Sequence, residues 1–376
     1  MHLFQFRGAL CGLFAALALL AAGQAQAKDY TYGSCVPATD YLTSDALPAM
    51  YAGIEKETNG KIKWKSVAGG QLADCKGSFT AVQDRLMEAG LAIPTYVPNL
   101  VPATALMYNT LEFEGETVAV AGATAETLFL DCKECLEEWR KINSLPLGPY
   151  ASSPYTLYCR EPIDTVAGLK GKRVRAVGGP AELLNLTGAV TVGATLPEAV
   201  SLLQRGGLDC LYGITEWLKT FGYGDFAKHV MNLSLGTTGP AIGVHLNYDT
   251  WKEMTPEERT ITLKYQALFS AKHSIGNFVI KNKTSFEEVK KTKGVQEVNV
   301  GKDFQEWIAR YKASERKING DKARQLGVAN PDPILDVYEK NLKKWRKLEK
   351  EIGTDVEKFS DTLWKEIYSK IDVNKL

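Results

Sequence analysis

The chain has 376 residues, of which 45% are hydrophobic, and its 45 Lys and Arg nearly balance its 44 Asp and Glu. This length and composition suffice for two domains of ordinary size with apolar cores. The near balance of charge argues against a nucleic-acid-binding protein, which usually carries a basic excess, and no basic stripe stands out before the C-terminal third.

The first 27 residues are typical of a cleavable secretory leader. His2 and Arg7 stand around the start of the chain, residues 9–22 form an apolar run, and Ala25-Gln26-Ala27 has the small-x-small form of a cleavage site. The apolar run is shorter than the roughly twenty residues that a transmembrane helix needs. We therefore expect residues 1–27 to be a signal peptide and the mature protein to be exported and soluble.

Six cysteines follow the predicted leader: Cys35, Cys75, Cys132, Cys135, Cys159 and Cys210. An even number in an exported protein usually means disulfides, because the compartment is oxidising. The Cys132-x-x-Cys135 spacing could also suggest zinc or a redox pair. There is no second cysteine pair and only His229, His245 and His273 remain, so we expect no metal, while a redox pair would lack a thioredoxin-like context.

Strand and helix patterns alternate from residue 30 onward. Strands are predicted at 30–35, 61–67, 92–96 and 155–160, and helices at 46–58, 78–89 and 123–142. Such alternation predicts parallel sheets with helices on both faces. Beyond Pro256 the chain is helical and charged, at 257–275, 304–318 and 334–350. The basic run at 343–347 is interpreted as a solvated helix face, the alternative being a membrane or nucleic-acid patch.

One short strand, residues 172–177, carries two arginines. Its periodicity places Arg173, Arg175 and Val177 on one face, and Gly178-Gly179-Pro180 then leads into a helix. An arginine at the end of a strand beside a helix start is the outline of an anion site. The alternative is a surface strand with two solvated cations.

Four stretches together resemble a known family. They are residues 169–175, which precede Gly206-Gly207-Leu208-Asp209, residues 57–63, residues 69–72 and residues 247–258. In this order they are similar to the solute-binding proteins of tripartite ATP-independent periplasmic (TRAP) transporters, the DctP-like family. The resemblance extends from about residue 30 to about residue 272.

The resemblance implies an α/β fold with two lobes, a ligand cleft between them and a helical C-terminal region that braces both. It implies a first lobe of residues 28–152 and 242–282, and a second of residues 153–241 and 283–376. The implied protein is a monomeric periplasmic receptor that needs no cofactor and delivers a small organic anion to TRAP membrane permease subunits. No hydrolase, zincin or phosphate-loop motif is present. The alternatives are a receptor for an ABC importer and an exported enzyme on the same scaffold.

The resemblance also assigns roles to particular residues. Arg175 matches the arginine that holds the ligand carboxylate, and a planar guanidinium suits that contact. Arg173 would be a surface or ion-pair residue. Pocket walls are expected from Tyr96, Tyr212, Trp217 and Tyr32, although aromatic residues at these positions could also be core. Gln71 is either a polar contact or part of a turn.

The chain departs from the family pattern at two places. Gly213-Ile214 stands where dicarboxylate-binding members often have Asn-Pro, and Tyr155 falls near the position of a second family arginine. We therefore expect a wider, more apolar pocket that takes an aromatic or hydrophobic monocarboxylate.

The resemblance further implies which cysteines pair. Cys35 and Cys75 would join neighbouring loops, and Cys159 and Cys210 would join two strands of the second lobe. Cys132 and Cys135 would remain as a local bridge or as thiols.

Overall fold

The computed structural model describes residues 27–114 and 116–376. The predicted leader therefore lies, except for Ala27, outside the described residues. Within the described ranges, no helix combines the length and the apolar character needed to cross a membrane.

Twelve strands and fourteen α-helices make up most of the described chain. The strands are β1 (Lys28–Gly33), β2 (Ile62–Val67), β3 (Ala89–Ala92), β4 (Ser144–Pro146), β5 (Pro149–Tyr150), β6 (Thr156–Cys159), β7 (Arg173–Arg175), β8 (Val190–Val192), β9 (Cys210–Gly213), β10 (His229–Met231), β11 (Ala241–Asn247) and β12 (Gln296–Val298). The α-helices are Leu47–Glu57, Ser78–Gln83, Pro102–Asn109, Thr117–Glu126, Lys133–Lys141, Gly179–Asn185, Leu196–Gln204, Trp217–Thr220, Tyr248–Lys252, Pro256–Ala271, Asn282–Lys293, Asp303–Gln325, Asp332–Ile352 and Val356–Glu366. Wider π-helical segments occur at Leu42–Ala46, Thr127–Asp131 and Lys272–Lys281.

The strands form two mixed sheets, one in each lobe. The first has the order β2-β1-β3-β11-β4, with β5 also paired to β11, and the second has the order β12-β10-β6-β9-β7-β8. The prediction of purely parallel sheets is wrong, because β11 runs antiparallel to β3 and β6 runs antiparallel to β9. Only parallel neighbours require a crossover helix between them. The antiparallel strands β6 and β11 need no such helix, and they are strands through which the chain enters each sheet from the other lobe.

Two predicted helices have different bounds in the structure. The helix predicted at 78–89 ends at Gln83, Arg85 has a φ of 60°, and β3 begins at Ala89. The long helix predicted at 123–142 begins earlier, at Thr117, and is interrupted at Cys132. Cys132 has a non-helical ψ of 86° and caps the next helix by accepting from the backbone N–H of Cys135.

The C-terminal helices brace the two lobes, as the resemblance implied. In the helix Asp303–Gln325, the indole of Trp307 donates to the carbonyl of Leu183, and Asn319 donates to the carbonyl of Asn109. One helix thus contacts both lobes, since Leu183 follows β7 and Asn109 follows β3.

The helix Asp332–Ile352 packs on the first lobe, although residues 283–376 were expected to belong to the second. Its Trp345 is fully buried and donates to Glu126 at 2.6 Å. A side chain at Gly122 would lie 2.1 Å from the Trp345 ring, so only glycine leaves room for the indole. The apolar helix Thr117–Glu126 must be shielded from water by another element, and the helix Asp332–Ile352 packs on it.

Three disulfides join the six cysteines in the pairs implied by the resemblance: Cys35–Cys75, Cys132–Cys135 and Cys159–Cys210. Of the two alternatives for Cys132 and Cys135, the structure has the local bridge. Cys159 and Cys210 are directly opposite each other on β6 and β9, which brings the two Cα atoms to 4.0 Å.

Candidate functional site

A cavity with an empty volume of about 790 Å³, including the space at its mouth, lies between the two lobes. The part of it that the centre of a water-sized sphere can occupy is about 50 Å³. Loops that follow β1 and β3 supply one side, the ends of β7 and β9 supply the other, and the segment Lys272–Lys281 runs along it. Its aromatic lining is Tyr96, Tyr108, Tyr150, Tyr155, Tyr212, Trp217 and Phe278, and its polar lining is Asp40, Ser152, Arg175, Thr238, His273 and Asn277.

Arg175, the last residue of β7, is the one arginine or lysine in this lining. Only 4% of the surface of Arg175 is exposed. Nε donates to the carbonyl of Ala194 at 2.8 Å, and Nη2 donates to the hydroxyl of Tyr96 at 2.9 Å. No described carboxylate forms an ion pair with it. The guanidinium, which is permanently charged, is therefore buried with neutral partners only.

Arg173, two residues earlier on the same strand, lies at the surface. Its side chain is 45% exposed and forms a two-pronged ion pair with Asp209, at 3.0 and 2.8 Å. These hydrogen bonds hold the pKa of Asp209 below its usual value. The two arginines thus lie in different environments, with Arg173 at the surface and Arg175 inside.

The aromatic wall on the second-lobe side is built around β9. The hydroxyl of Tyr212 donates to the carbonyl of Leu235, so its ring rather than its hydroxyl is available to the cavity. The ring of Tyr155 lies 5.1 Å from that of Tyr212 and 5.7 Å from that of Trp217, centre to centre. These edge-to-face and tilted contacts fix the rings in place.

Four of the predicted ligand-site residues line the cavity, namely Arg175, Tyr96, Tyr212 and Trp217. The structure does not bring the other three to it. Tyr32 is fully buried in the first lobe and donates to the carbonyl of Gly243, so its core alternative describes it better. Gln71 is exposed after two glycines with φ of 72° and 74°, which is the turn alternative.

Gly213 does not open the space that the sequence analysis expected. A Cβ at this position would lie 2.4 Å from the ring of Trp217 and 2.6 Å from the hydroxyl of Tyr158. The volume of the absent side chain is therefore filled by these two residues, and Gly213 shapes the cavity only through them.

One wall of the cavity was missed by the sequence analysis. It consists of Asp40, in the loop after β1, and of His273 and Asn277 on the segment Lys272–Lys281. Burial raises the pKa of Asp40 to about 7, with a further rise from Glu216, and lowers the pKa of His273 to about 3. The available signal was the spacing of His273 and Asn277, which are four residues apart and therefore lie on one helix face.

The two lobes touch at the Gly178-Gly179 pair. A Cβ on Gly179 would lie 1.9 Å from the backbone oxygen of Asn109 in the first lobe. Gly178 has a φ of 62°, which favours glycine, and its missing side chain leaves room for the Asn109 amide oxygen. The residues on either side of this pair, Val177 and Pro180, line the cavity. Within the described residues, no group of three or more His, Cys, Asp or Glu side chains is placed to hold a metal ion.

Comparisons with known proteins agree with this architecture. The model of the family "Bacterial extracellular solute-binding protein, family 7" matches residues 32–319. A TRAP solute-binding protein from Rhodoferax ferrireducens T118, solved with copurified benzoate, is similar with a TM-score of 0.74 and 16% identity, over 85% of this chain and 99% of that one.

Two Bordetella structures are similar as well. A periplasmic protein from Bordetella bronchiseptica with bound (R)- and (S)-mandelate has a TM-score of 0.68 and 20% identity, over 84% of this chain and 99% of that one. A receptor from Bordetella pertussis that binds pyroglutamic acid has a TM-score of 0.70 and 17% identity, over 83% of this chain and 100% of that one. At these identities the likeness concerns the fold.

Proposed function

As the chain belongs to family 7 of the bacterial extracellular solute-binding proteins, it is a solute receptor rather than an enzyme, and we propose that it captures an aromatic or hydrophobic monocarboxylate for a TRAP transporter. The observation that carries this proposal is the buried guanidinium of Arg175, which lines a closed cavity and has no described carboxylate as partner. A buried charge is costly unless it is paired. The ligand carboxylate supplies that pair.

The charges of the lining support a single carboxylate. Arg175 is its one arginine or lysine, and its other ionisable groups include Asp40 and the neutral imidazole of His273. A second carboxylate on the ligand would be desolvated without a cation and would face Asp40. Succinate-like ligands should therefore bind poorly.

The body of the ligand would lie against rings. Tyr155, Tyr212 and Trp217 form one aromatic side, and Tyr150 and Phe278, whose rings are 5.4 Å apart, form another. Stacking adds about 0.5–1.5 kcal/mol beyond the burial of apolar area. Closure of the lobes at Gly178-Gly179 would then exclude water from the carboxylate.

The test is a binding titration of the purified protein with benzoate, phenylacetate and mandelate against succinate and malate. Calorimetry measures each affinity, and tryptophan fluorescence gives a second readout because Trp217 lines the cavity. We expect the aromatic acids to bind at micromolar concentrations or tighter, at about −8 kcal/mol or below. Tight succinate binding with no response to any aromatic acid would refute the ligand class, while the receptor assignment would stand.

A further inference from the structure

We propose that the wall formed by Asp40 and Asn277 recognises a hydrogen-bond donor, a hydroxyl or an amino group, on the ligand away from its carboxylate. This inference rests on the proposed function, because it assigns the second end of the same ligand. It narrows the substrate class to monocarboxylates that carry such a donor.

The first observation is that two buried side chains of this wall each have an oxygen acceptor that no described donor reaches. Asp40 is 5% exposed, its Oδ1 accepts from the backbone N–H of Leu42 at 2.9 Å, and no described donor reaches its Oδ2. Asn277 is 2% exposed, and its Oδ1 has no hydrogen-bond partner within the described part of the chain. Buried polar atoms are nearly always hydrogen-bonded, so such atoms in a ligand cavity point to a group that the ligand supplies.

The second observation is that these acceptors share one wall. Asp40 is followed by Tyr41, whose ring stacks on His273 at 6.4 Å between centres. Gly276 lies directly against Tyr41, since a Cβ there would be 2.2 Å from the tyrosine hydroxyl. The loop after β1 and the segment Lys272–Lys281 are thus packed together, and both face the cavity.

The third observation is that this wall is separate from the arginine. Arg175 is held by Ala194, Tyr96 and Tyr212, whereas the charged groups that act on Asp40 are Glu216 and Lys281. Lys281 lies 3.6 Å from Glu216 and is engaged there. The cavity therefore has a cation at the end of β7 and acceptors on two other elements, the loop after β1 and the segment Lys272–Lys281.

The experiment compares matched acids on the wild-type protein by calorimetry. Each set is a parent acid and its derivatives: benzoate with 3- and 4-hydroxybenzoate and 4-(aminomethyl)benzoate, and phenylacetate with its hydroxy derivatives. We expect the best donor-bearing member to bind at least about tenfold more tightly than its parent, because the parent leaves the acceptors unsatisfied. The hydroxyl and amino members show which donor is preferred.

The matched variants are Asp40→Asn and Asp45→Asn. In the first variant, the new amide oxygen can still accept from the backbone N–H of Leu42, so the loop should keep its shape. Asp45 is exposed in the segment Leu42–Ala46 that follows this loop, and it does not line the cavity. Asp40→Asn should reduce the preference for the amino-bearing acid to within about threefold, because the charge-assisted bond is lost, and Asp45→Asn should leave it intact.

Each outcome is decisive. Donor-bearing acids that bind no better than their parents in every set would overturn the inference and leave carboxylate capture in place. If none of the acids binds, the proposed function fails and the inference fails with it. The wild-type comparison does not depend on the variants, and thermal unfolding checks that each variant is folded.

Discussion

Replacing Arg175 should abolish tight binding, whereas replacing Arg173 should not. Arg175→Met keeps a side chain of similar length but leaves the ligand carboxylate unpaired in a buried site. Removing one partner of such a pair costs about 2–5 kcal/mol, which is roughly thirty-fold to several-thousand-fold in affinity. Arg173 is an exposed ion-pair residue, and exposed pairs contribute less than about 1 kcal/mol, so Arg173→Ala should change affinity less than about fivefold.

The assay is calorimetric titration of both variants with the tightest aromatic acid found for the wild type. Arg175→Lys provides a graded comparison, because lysine keeps the charge but lacks the planar fork, and its loss should fall between the wild type and Arg175→Met. Circular dichroism establishes that all variants are folded. Equal losses for Arg173→Ala and Arg175→Met would show that the reasoning from burial and ion pairing is wrong.

Three further predictions concern closure, crosslinking and pH. Gly179→Ala should weaken binding by about 1–3 kcal/mol because its Cβ meets Asn109, whereas Gly193→Ala, which has open space, should titrate like the wild type; equal affinities would contradict closure at this contact. Replacing Cys35 and Cys75 by serine should cost about 4 kcal/mol of unfolding free energy in denaturant titrations, since the bridge closes a loop of 40 residues. Stability should fall as the pH rises from about 6.5 to about 8, because burial raises the folded-state pKa values of several carboxyls, which then hold protons that the unfolded chain has released. They include Asp40, Glu112 and Glu138, each at about 7, and Glu315 at about 8, whereas the buried His245 and His273, each with a pKa of about 3, oppose this trend only below about pH 6.5. Thermal unfolding across this range checks the sign, and a melting temperature that rises with pH would contradict it.

The sequence predicted those features that depend on neighbours along the chain. Arg175 at the end of a short strand, followed by two glycines and a proline, is a local pattern, and the structure places it in the cavity. Tyr96 and Tyr212, which the resemblance assigned to the pocket walls, also line the cavity. Each of these residues could be assigned to the cavity from its own segment of the chain alone.

The wall formed by Asp40 and Asn277 could not be predicted in this way. Asp40 and Asn277 are separated by more than half of the chain, and neither lies in a motif. Their proximity follows from tertiary packing of Tyr41 on His273 and Gly276, which periodicity does not show. The failed prediction at Gly213 has a related cause. Whether a glycine opens space depends on its neighbours, and here Trp217 turns its ring into the gap.

Because Gly122 has no side chain, it leaves a notch in the helix Thr117–Glu126, and the residue that fills this notch shows that the segment matched by the family model is not an independent folding unit. The family match ends at residue 319, yet the indole that fills this notch belongs to Trp345, and both are completely buried. A chain shortened to residues 32–319 would keep every residue of the cavity lining and still lose the cover of the helix Thr117–Glu126. That helix is almost entirely apolar, so its exposure would create an aggregation-prone surface beside an intact ligand site. The ends of a recombinant form of the protein should therefore be chosen from the packing of its helices and not from the extent of the family match.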